Sequence, residues 1–145
     1  MSFAIWTPPA PVAESGVSVH DDDRIIGTRM CWDIEKVVQA VKDKTLTIVL
    51  SRNAQHDVLT ELSYSNADIV AFFENLGPHR YVNSQWCLPP QAGNHHAPYP
   101  ADSYAMGFDK VNKVESQQRQ PYTYIKFAVN EVTKKVLIFS MHPSR

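Results

Sequence analysis

The sequence predicts an α+β domain in which helices come first along the chain and a mostly antiparallel sheet of about four strands follows. Two patterns support this prediction. Apolar residues recur at three- and four-residue spacing in the first half, which is typical of helices, and alternation replaces that spacing after Pro78, which is typical of strands. The length of 145 residues, with 43% hydrophobic and 20% charged residues, fits one domain with its own core.

The segment 1–30 is expected to be extended or disordered, because three of its first eleven residues are proline and it shows little periodicity. The single α+β domain is then expected to cover residues 31–145. Within the leading segment, His20 stands beside three aspartates. This group could ligate a metal, but an acidic run of this kind is more typical of a solvated turn.

Helical spacing begins after Asp33, whose carboxylate is a suitable N-cap for a short amphipathic helix. The β-branched run from Thr45 to Leu50 fits a strand. A second helix is expected from about Asn53 to Leu62.

The third predicted helix, from Asn66 to Leu76, carries the clearest end signals. Ser65 is a good N-cap, and Asp68 follows three positions later, as in a capping box. Gly77 and Pro78 then end the helix, because neither residue favours its continuation.

Four further strands are expected after Pro78, and the last two are expected to form an antiparallel hairpin because only a short polar segment joins them. The segment 89–101 contains four prolines and a glycine and is therefore predicted to be a loop. The predicted strands are His79–Leu88, Asp102–Val111, Tyr122–Asn130 and Lys135–His142.

Charge is distributed unevenly between the two halves of the chain. Residues 1–75 carry 6 Lys/Arg and 11 Asp/Glu, a net of −5, whereas residues 76–145 carry 8 and 4, a net of +4. A basic second half is compatible with a phosphate-backbone partner, although scattered surface charge explains such small counts equally well.

Several classes of protein have no support in the sequence. No apolar run is long enough to span a membrane and the start lacks the pattern of a signal peptide, so a cytoplasmic protein without a membrane partner is expected. Cys31 and Cys87 lie outside any zinc or redox spacing, and no nucleotide-binding or serine-hydrolase motif occurs. We therefore expect no metal and no cofactor.

The strand Tyr122–Asn130 is the most informative segment for function. Alternation places Thr123, Ile125, Phe127 and Val129 on a core face, and Tyr122, Tyr124, Lys126 and Ala128 on the other face. An antiparallel hairpin would bring His142 and Arg145 beside the start of this strand. A phenol, an amine and an imidazole together could move protons on a ribose hydroxyl, but tyrosine and lysine are also ordinary residues of an exposed strand face.

Three segments, SNADIVAFFENLGPHRYVNSQW, DSYAMGFDKV and YTYIKFAVNEVTKKVLIFSMH, follow one another as a helix with an aromatic strand, a further strand and a hairpin. In this order the chain from Thr45 to His142 resembles the MqsR family of toxin endoribonucleases from type II toxin–antitoxin systems. The resemblance implies a RelE-like fold of helices packed on an antiparallel sheet.

The resemblance also implies a site and a mechanism. The strand tyrosine of the family falls on Tyr124 and its terminal basic residue on His142, whereas its strand lysine falls on Asn83 and its glutamine on or beside Met106. The implied activity is metal-free cleavage of single-stranded RNA, with Tyr124 and His142 as the acid–base pair. Further roles are implied for residues that stabilise phosphate or contact RNA: Lys126, Arg80, Arg145, Asn83, and Tyr122 or Trp86 for base stacking. The implied partners are single-stranded RNA and a cognate antitoxin or other protein.

A second hypothesis is a protein-binding module without catalysis, such as an inhibitor, an immunity-type protein or an adaptor. The changes at Asn83 and Met106 and the acidic first half favour it. Its interface anchors would be the 88–101 loop and exposed aromatic residues, because Trp and Tyr are enriched among binding hot spots. The candidate anchors are Trp86, Tyr99 and Tyr104.

Overall fold

The computed structural model describes residues 2–9, 25–87, 98–118 and 120–144. Three short α-helices, α1 (Ile34–Lys42), α2 (Arg52–Asp57) and α3 (Asn66–Glu74), lie among eight strands. A π-helical turn, Val58–Leu62, extends α2, and a 3-10 turn, Pro78–Arg80, precedes β3. The strands are β1 (Ile25–Gly27), β2 (Thr47–Leu50), β3 (Tyr81–Cys87), β4 (Tyr99–Met106), β5 (Phe108–Asp109), β6 (Val114–Glu115), β7 (Thr123–Asn130) and β8 (Lys135–Pro143).

The main sheet has six strands in the order β1-β3-β4-β7-β8-β2, and β5 and β6 form a separate two-stranded sheet. Four neighbouring pairs of the main sheet are antiparallel, whereas β2 pairs with β8 in parallel. Because β2 lies between α1 and α2 in the chain, the helices do not all precede the sheet.

The predicted fold class, helices packed on a mostly antiparallel sheet of about four strands, is therefore wrong. Of the described residues 38% are in strands and 27% are helical, so the domain is strand-rich and its main sheet is mixed. The sequence patterns missed β1 and β6 because two or three residues are too few to show alternation, and the predicted strand Asp102–Val111 joined β5 to β4. The loop prediction for 89–101 also fails at its end, since β4 begins at Tyr99. Residues 88–97 lie outside the described part of the chain.

The helices begin where capping chemistry predicts. The carboxylate of Asp33 accepts the backbone N–H of Lys36 at the start of α1. At α3, the hydroxyl of Ser65 accepts the N–H of Asp68 at 3.1 Å, and the Asp68 carboxylate accepts the N–H of Ser65 at 2.9 Å. This reciprocal capping box confirms the predicted start of the third helix.

Replacing Ser65 by alanine should lower the free energy of unfolding by about 1 kcal/mol, because the N–H of Asp68 then loses its acceptor. Urea denaturation followed by circular dichroism measures this change. Ser65→Thr keeps a hydroxyl at the same position and should recover most of the loss. Equal midpoints for the native chain and Ser65→Ala would contradict the role of this cap.

The hydrophobic core lies between the helices and one face of the main sheet, called the inner face. Strand β7 supplies the centre of this face, and the ring of Phe73 on α3 lies 5.0 Å from that of Phe127. Thr123 accepts or donates a 2.8 Å hydrogen bond with Tyr64, which follows the π-helical turn. The fully buried side chains of the core include Val37, Phe72, Phe73, Tyr104, Met106, Ile125, Phe127, Val136 and Met141.

Asp102 is a buried carboxylate on the inner face of β4, with 0% of its surface exposed. It accepts the backbone N–H groups of Cys31 and Trp32, each at 3.0 Å, and the hydroxyl of Ser84 at 2.6 Å. Burial raises the pKa of this carboxyl above its usual value. Burial and the neighbouring carboxylate also raise the pKa of the Cys31 thiol to about 12.

The described residues at the start of the chain pair with the segment 31–33, which includes the two residues that Asp102 binds. Ile5 donates its N–H to the carbonyl of Cys31 at 2.7 Å, and Phe3 accepts the N–H of Asp33 at 2.8 Å. Ala4 and Trp32 form an antiparallel bridge between these two hydrogen bonds. Asp102 therefore fixes a backbone segment onto which residues 3–5 pair.

Candidate functional site

The face of the main sheet opposite the helices, called the outer face, carries the candidate site. Its side chains come from alternate positions of β3, β4, β7 and β8. Strand register arranges them in two adjacent rows. The first row holds Ala105, Tyr124 and His142, and the second row holds Asn83, Ser103, Lys126 and Ser140.

Tyr124 and His142 occupy directly opposite positions on β7 and β8. Their rings stack, with centroids 5.2 Å apart and planes inclined by 25°. Both side chains are half-buried, so each keeps a part of its surface in contact with solvent. The predicted hairpin is thus present, and it brings together the phenol and the imidazole of the predicted pair.

The imidazole of His142 is oriented by a carbonyl of its own strand. Its Nδ1 lies 2.8 Å from the carbonyl oxygen of Pro143. Because a carbonyl oxygen can only accept, Nδ1 carries the proton in the neutral ring, and Nε2 is left with a lone pair. His142 can therefore take a proton at Nε2 and, once charged, return it from the same atom.

Ser103 and Gln85 hold the other two functional side chains. The hydroxyl of Tyr124 donates to the Oγ of the fully buried Ser103 at 2.9 Å. The ammonium of Lys126 donates to the amide oxygen of Gln85 at 3.1 Å. Both contacts run diagonally across the sheet. Ser103 lies on β4, next to β7, whereas Gln85 lies on β3, two strands away from β7.

Asn83 lies in the same row as Lys126, two strands away. The amide oxygen of Asn83 is buried and has no hydrogen-bond partner among the described residues. It is thus part of the predicted surface but carries no ammonium, and Lys126 supplies the positive charge of this row.

The electrostatics of the outer face favour an anionic ligand. Within the four described strands β3, β4, β7 and β8, the only carboxylate is that of Asp102, which lies on the inner face. Lys126 is therefore not neutralised by an acidic side chain from these strands. This arrangement is suited to binding a phosphate group beside the Tyr124–His142 pair.

Arg80 and Tyr122 lie together at the edge of this site. The guanidinium of Arg80 is 5.9 Å from the ring centre of Tyr122, but it also donates to Glu115 at 2.6 Å. That ion pair lowers the pKa of the Glu115 carboxyl. Arg80 is therefore already paired, unlike Lys126, which contacts only an amide among the described residues. Arg145 lies outside the described residues, as does His20.

Burial decides which of three predicted site or interface residues can contact a ligand on the outer face. Met106 is fully buried on the inner face and cannot contact a ligand on the outer face, where its neighbour Ala105 stands opposite Tyr124. Tyr104 is also fully buried, so it is not an exposed interface anchor. Trp86 is half-buried and does not belong to the fully buried core.

Three residues of the site, Ser103, Gln85 and Ser140, were not identified from the sequence. Their contacts with Lys126 and Tyr124 follow from the strand register. Alternation within β4 and β3 would have placed Ser103 and Gln85 on the outer face, but the pairing partners follow only from the sheet order.

Among the described residues, no group of three or more His, Cys, Asp and Glu side chains is arranged to hold a metal ion. None of the helices in the described segments is long and apolar enough to cross a membrane. Within the same part of the chain, Cys31 and Cys87 form no disulfide.

No protein-family model matches the chain, and no curated protein or solved structure shows significant similarity to it. The resemblance to the MqsR family therefore stays a prediction.

Proposed function

We propose that the protein is an endoribonuclease that cleaves single-stranded RNA without a metal, by attack of the ribose 2′-hydroxyl on the adjacent phosphate. The observation that supports this proposal is the stacked pair of Tyr124 and His142 beside the ammonium of Lys126. General acid–base chemistry on a phosphodiester needs a base, an acid and a positive charge within one small site. The outer face offers one residue for each of these roles.

His142 is the general base in the proposed mechanism. With Nδ1 bonded to the carbonyl of Pro143, its Nε2 takes the proton from the 2′-hydroxyl. The resulting alkoxide attacks phosphorus, and the oxygen at the 5′ position leaves. The products are a 2′,3′-cyclic phosphate and a free 5′-hydroxyl.

Tyr124 is the general acid, since its hydroxyl donates the proton that the departing 5′-oxygen needs. In the free protein this hydroxyl donates to the buried Ser103 instead, so it turns from Ser103 to the departing oxygen when the substrate binds. Transfer of the proton from His142 back to Tyr124 through water restores both groups. The stacked rings keep the base and the acid at a fixed separation.

Lys126 stabilises the negative charge that develops on the non-bridging phosphate oxygens. Its ammonium donates to the amide oxygen of Gln85, which is a neutral acceptor that a phosphate can displace. Arg80 and Tyr122 extend the contact surface along the RNA backbone.

Purified protein incubated with single-stranded RNA in the presence of EDTA tests this proposal. The expected result is cleavage that leaves 2′,3′-cyclic phosphate ends, and RNA with a 2′-deoxy substitution at the cleaved position should stay intact. Expression of the native chain without any partner should also arrest bacterial growth. Intact RNA at high protein concentration, together with harmless expression, would contradict the proposed activity.

Glu115→Gln is expected to strengthen RNA binding, because Glu115 now neutralises Arg80. The freed guanidinium can contact one more phosphate, so the plot of log affinity against log salt should steepen by about 0.7. Fluorescence anisotropy with a 2′-deoxy oligonucleotide over a range of salt concentrations measures this slope. Glu35→Gln removes the same charge from the exposed side of α1 and should leave the slope unchanged.

A cognate antitoxin, or another protein that covers the outer face, is the expected partner of such a nuclease. A non-catalytic binding module is the second candidate function. It is favoured by the exposed apolar side chains of Ile25 and Val82 on β1 and β3, near one edge of the main sheet. Capture of a partner by a chain that never cleaves RNA would favour this second function.

A further inference from the structure

A pair of aromatic rings on the outer face lies beyond the catalytic row and has no role in the proposed proton transfers. Tyr99 begins β4, and Phe139 lies on β8, where the register with β7 shifts by one residue. Their ring centroids are 6.2 Å apart, with planes inclined by 43°. Because Tyr99 shares the face of Ser103 on β4, this ring contact places Phe139 on the same side of the sheet as Lys126.

Both rings are held in place but remain partly exposed. The hydroxyl of Tyr99 accepts the side-chain N–H of Asn130 at 3.0 Å, which fixes the tyrosine over the neighbouring strand. The positions between the two rings along the sheet carry Ala101 and Ala128, which are fully buried. Inner-face aromatic residues such as Phe127 are fully buried, whereas Tyr99 and Phe139 are only half-buried.

The location of the two rings relates them to the catalytic pair. Phe139 and His142 are three positions apart on β8, a separation of about 10 Å along a strand. Lys126 lies opposite Ser140, between these two positions. A positively charged group is thus flanked by the acid–base pair on one side and by a partly exposed aromatic surface on the other.

We propose that Tyr99 and Phe139 form a stacking subsite for a nucleobase of single-stranded RNA, next to the nucleotide whose phosphate Lys126 contacts. This inference rests on the proposed nuclease function and adds a determinant of binding to it. Bases stack on aromatic side chains with little dependence on sequence, while a nearby cation holds the backbone. The rings and the ammonium supply these two components side by side.

Binding of a 2′-deoxy oligonucleotide, which cannot be cleaved, tests the inference by fluorescence anisotropy. Phe139→Leu keeps an apolar side chain but removes the aromatic face, and it should weaken binding by about 5- to 140-fold. Phe139→Tyr keeps the aromatic face and should bind at the native level. Phe3→Leu, the same change in a half-buried ring of the N-terminal segment, is the matched control and should also bind at the native level.

An abasic oligonucleotide of equal length separates stacking from backbone contacts. The native chain should bind it at least as weakly as Phe139→Leu binds the oligonucleotide with bases, and Phe139→Leu should cause no further loss. Equal affinity of the native chain and Phe139→Leu for the oligonucleotide with bases would overturn the stacking subsite while leaving the nuclease function in place. If the native chain bound neither oligonucleotide, the proposed function itself would fall, and the subsite with it.

Discussion

Replacing His142 by alanine should lower the rate of RNA cleavage by about 10²- to 10⁴-fold, the usual contribution of a general acid or base. The variant loses the Nε2 lone pair that takes the 2′-proton and also the ring that stacks on Tyr124. Single-turnover cleavage of a labelled RNA, with protein in excess over substrate, measures the chemical step directly.

Two further variants make the His142 experiment specific. Tyr124→Phe keeps the stacked ring but removes the hydroxyl that donates to Ser103, and a loss of the same order is expected. His56→Ala removes an exposed imidazole on α2 and should cleave at the native rate. The assignment would be refuted if His142→Ala and Tyr124→Phe both cleaved as fast as the native chain.

Replacing Asp102 by alanine should lower the free energy of unfolding by about 3 to 5 kcal/mol. The change removes the acceptor of two backbone N–H groups and one hydroxyl in a fully buried position, and each unsatisfied donor is costly. Urea denaturation at neutral pH, followed by tryptophan fluorescence, measures the loss. An unchanged midpoint would contradict a structural role for this carboxylate.

Asp102→Asn is the matched control, because its amide oxygen can still accept the N–H groups of Cys31 and Trp32 while its amide nitrogen donates to Ser84. A much smaller loss of unfolding free energy is expected. The difference in unfolding free energy between the native chain and Asp102→Asn should also depend on pH. Since the pKa of Asp102 is raised in the folded protein, the folded state binds a proton more strongly than the unfolded state.

The sign of this pH effect follows from the raised pKa. The part of the Asp102 contribution that comes from proton binding is fully present below its unfolded pKa, near 3.8, and is lost as pH rises through its folded pKa. The amide introduced by Asp102→Asn does not titrate, so the stability difference between the two chains should move in favour of this variant as pH rises through the same range. A difference that is constant with pH would contradict the raised pKa.

Local signals in the sequence predicted much of the secondary structure. The caps at Asp33 and Ser65 are correct because capping depends on residues only three positions apart. The β7–β8 hairpin and the buried face of β7 are also confirmed, since alternation and a short connection determine them. These are the features in which local and tertiary preferences agree.

The sheet order could not be predicted, because it depends on contacts between distant residues. Nothing near Thr47 in the sequence indicates that β2 pairs in parallel with β8. The short strand β1 gives no detectable alternation. Both strands enter the sheet through tertiary packing, which local patterns do not encode.

The candidate site was predictable to the same extent. Tyr124, Lys126 and His142 share one hairpin, so their proximity follows from strand pairing alone. Ser103 and Gln85 come from strands whose neighbours are set by the overall topology, and they remained hidden. Met106 was placed at the site by the family resemblance, but the register of β4 turns its side chain into the core.

The parallel pairing of β2 with β8 has a consequence for folding during synthesis. Thr47 and Lys135 are 88 positions apart, and β8 separates β7 from β2 in the sheet. While β8 is still inside the ribosome, β7 and β2 each lack the strand with which they pair in the folded protein. Unpaired strand edges of this kind are prone to intermolecular pairing. His142 belongs to the same strand, so its imidazole leaves the ribosome together with β8. The Tyr124–His142 pair therefore cannot form before the sheet has received β8.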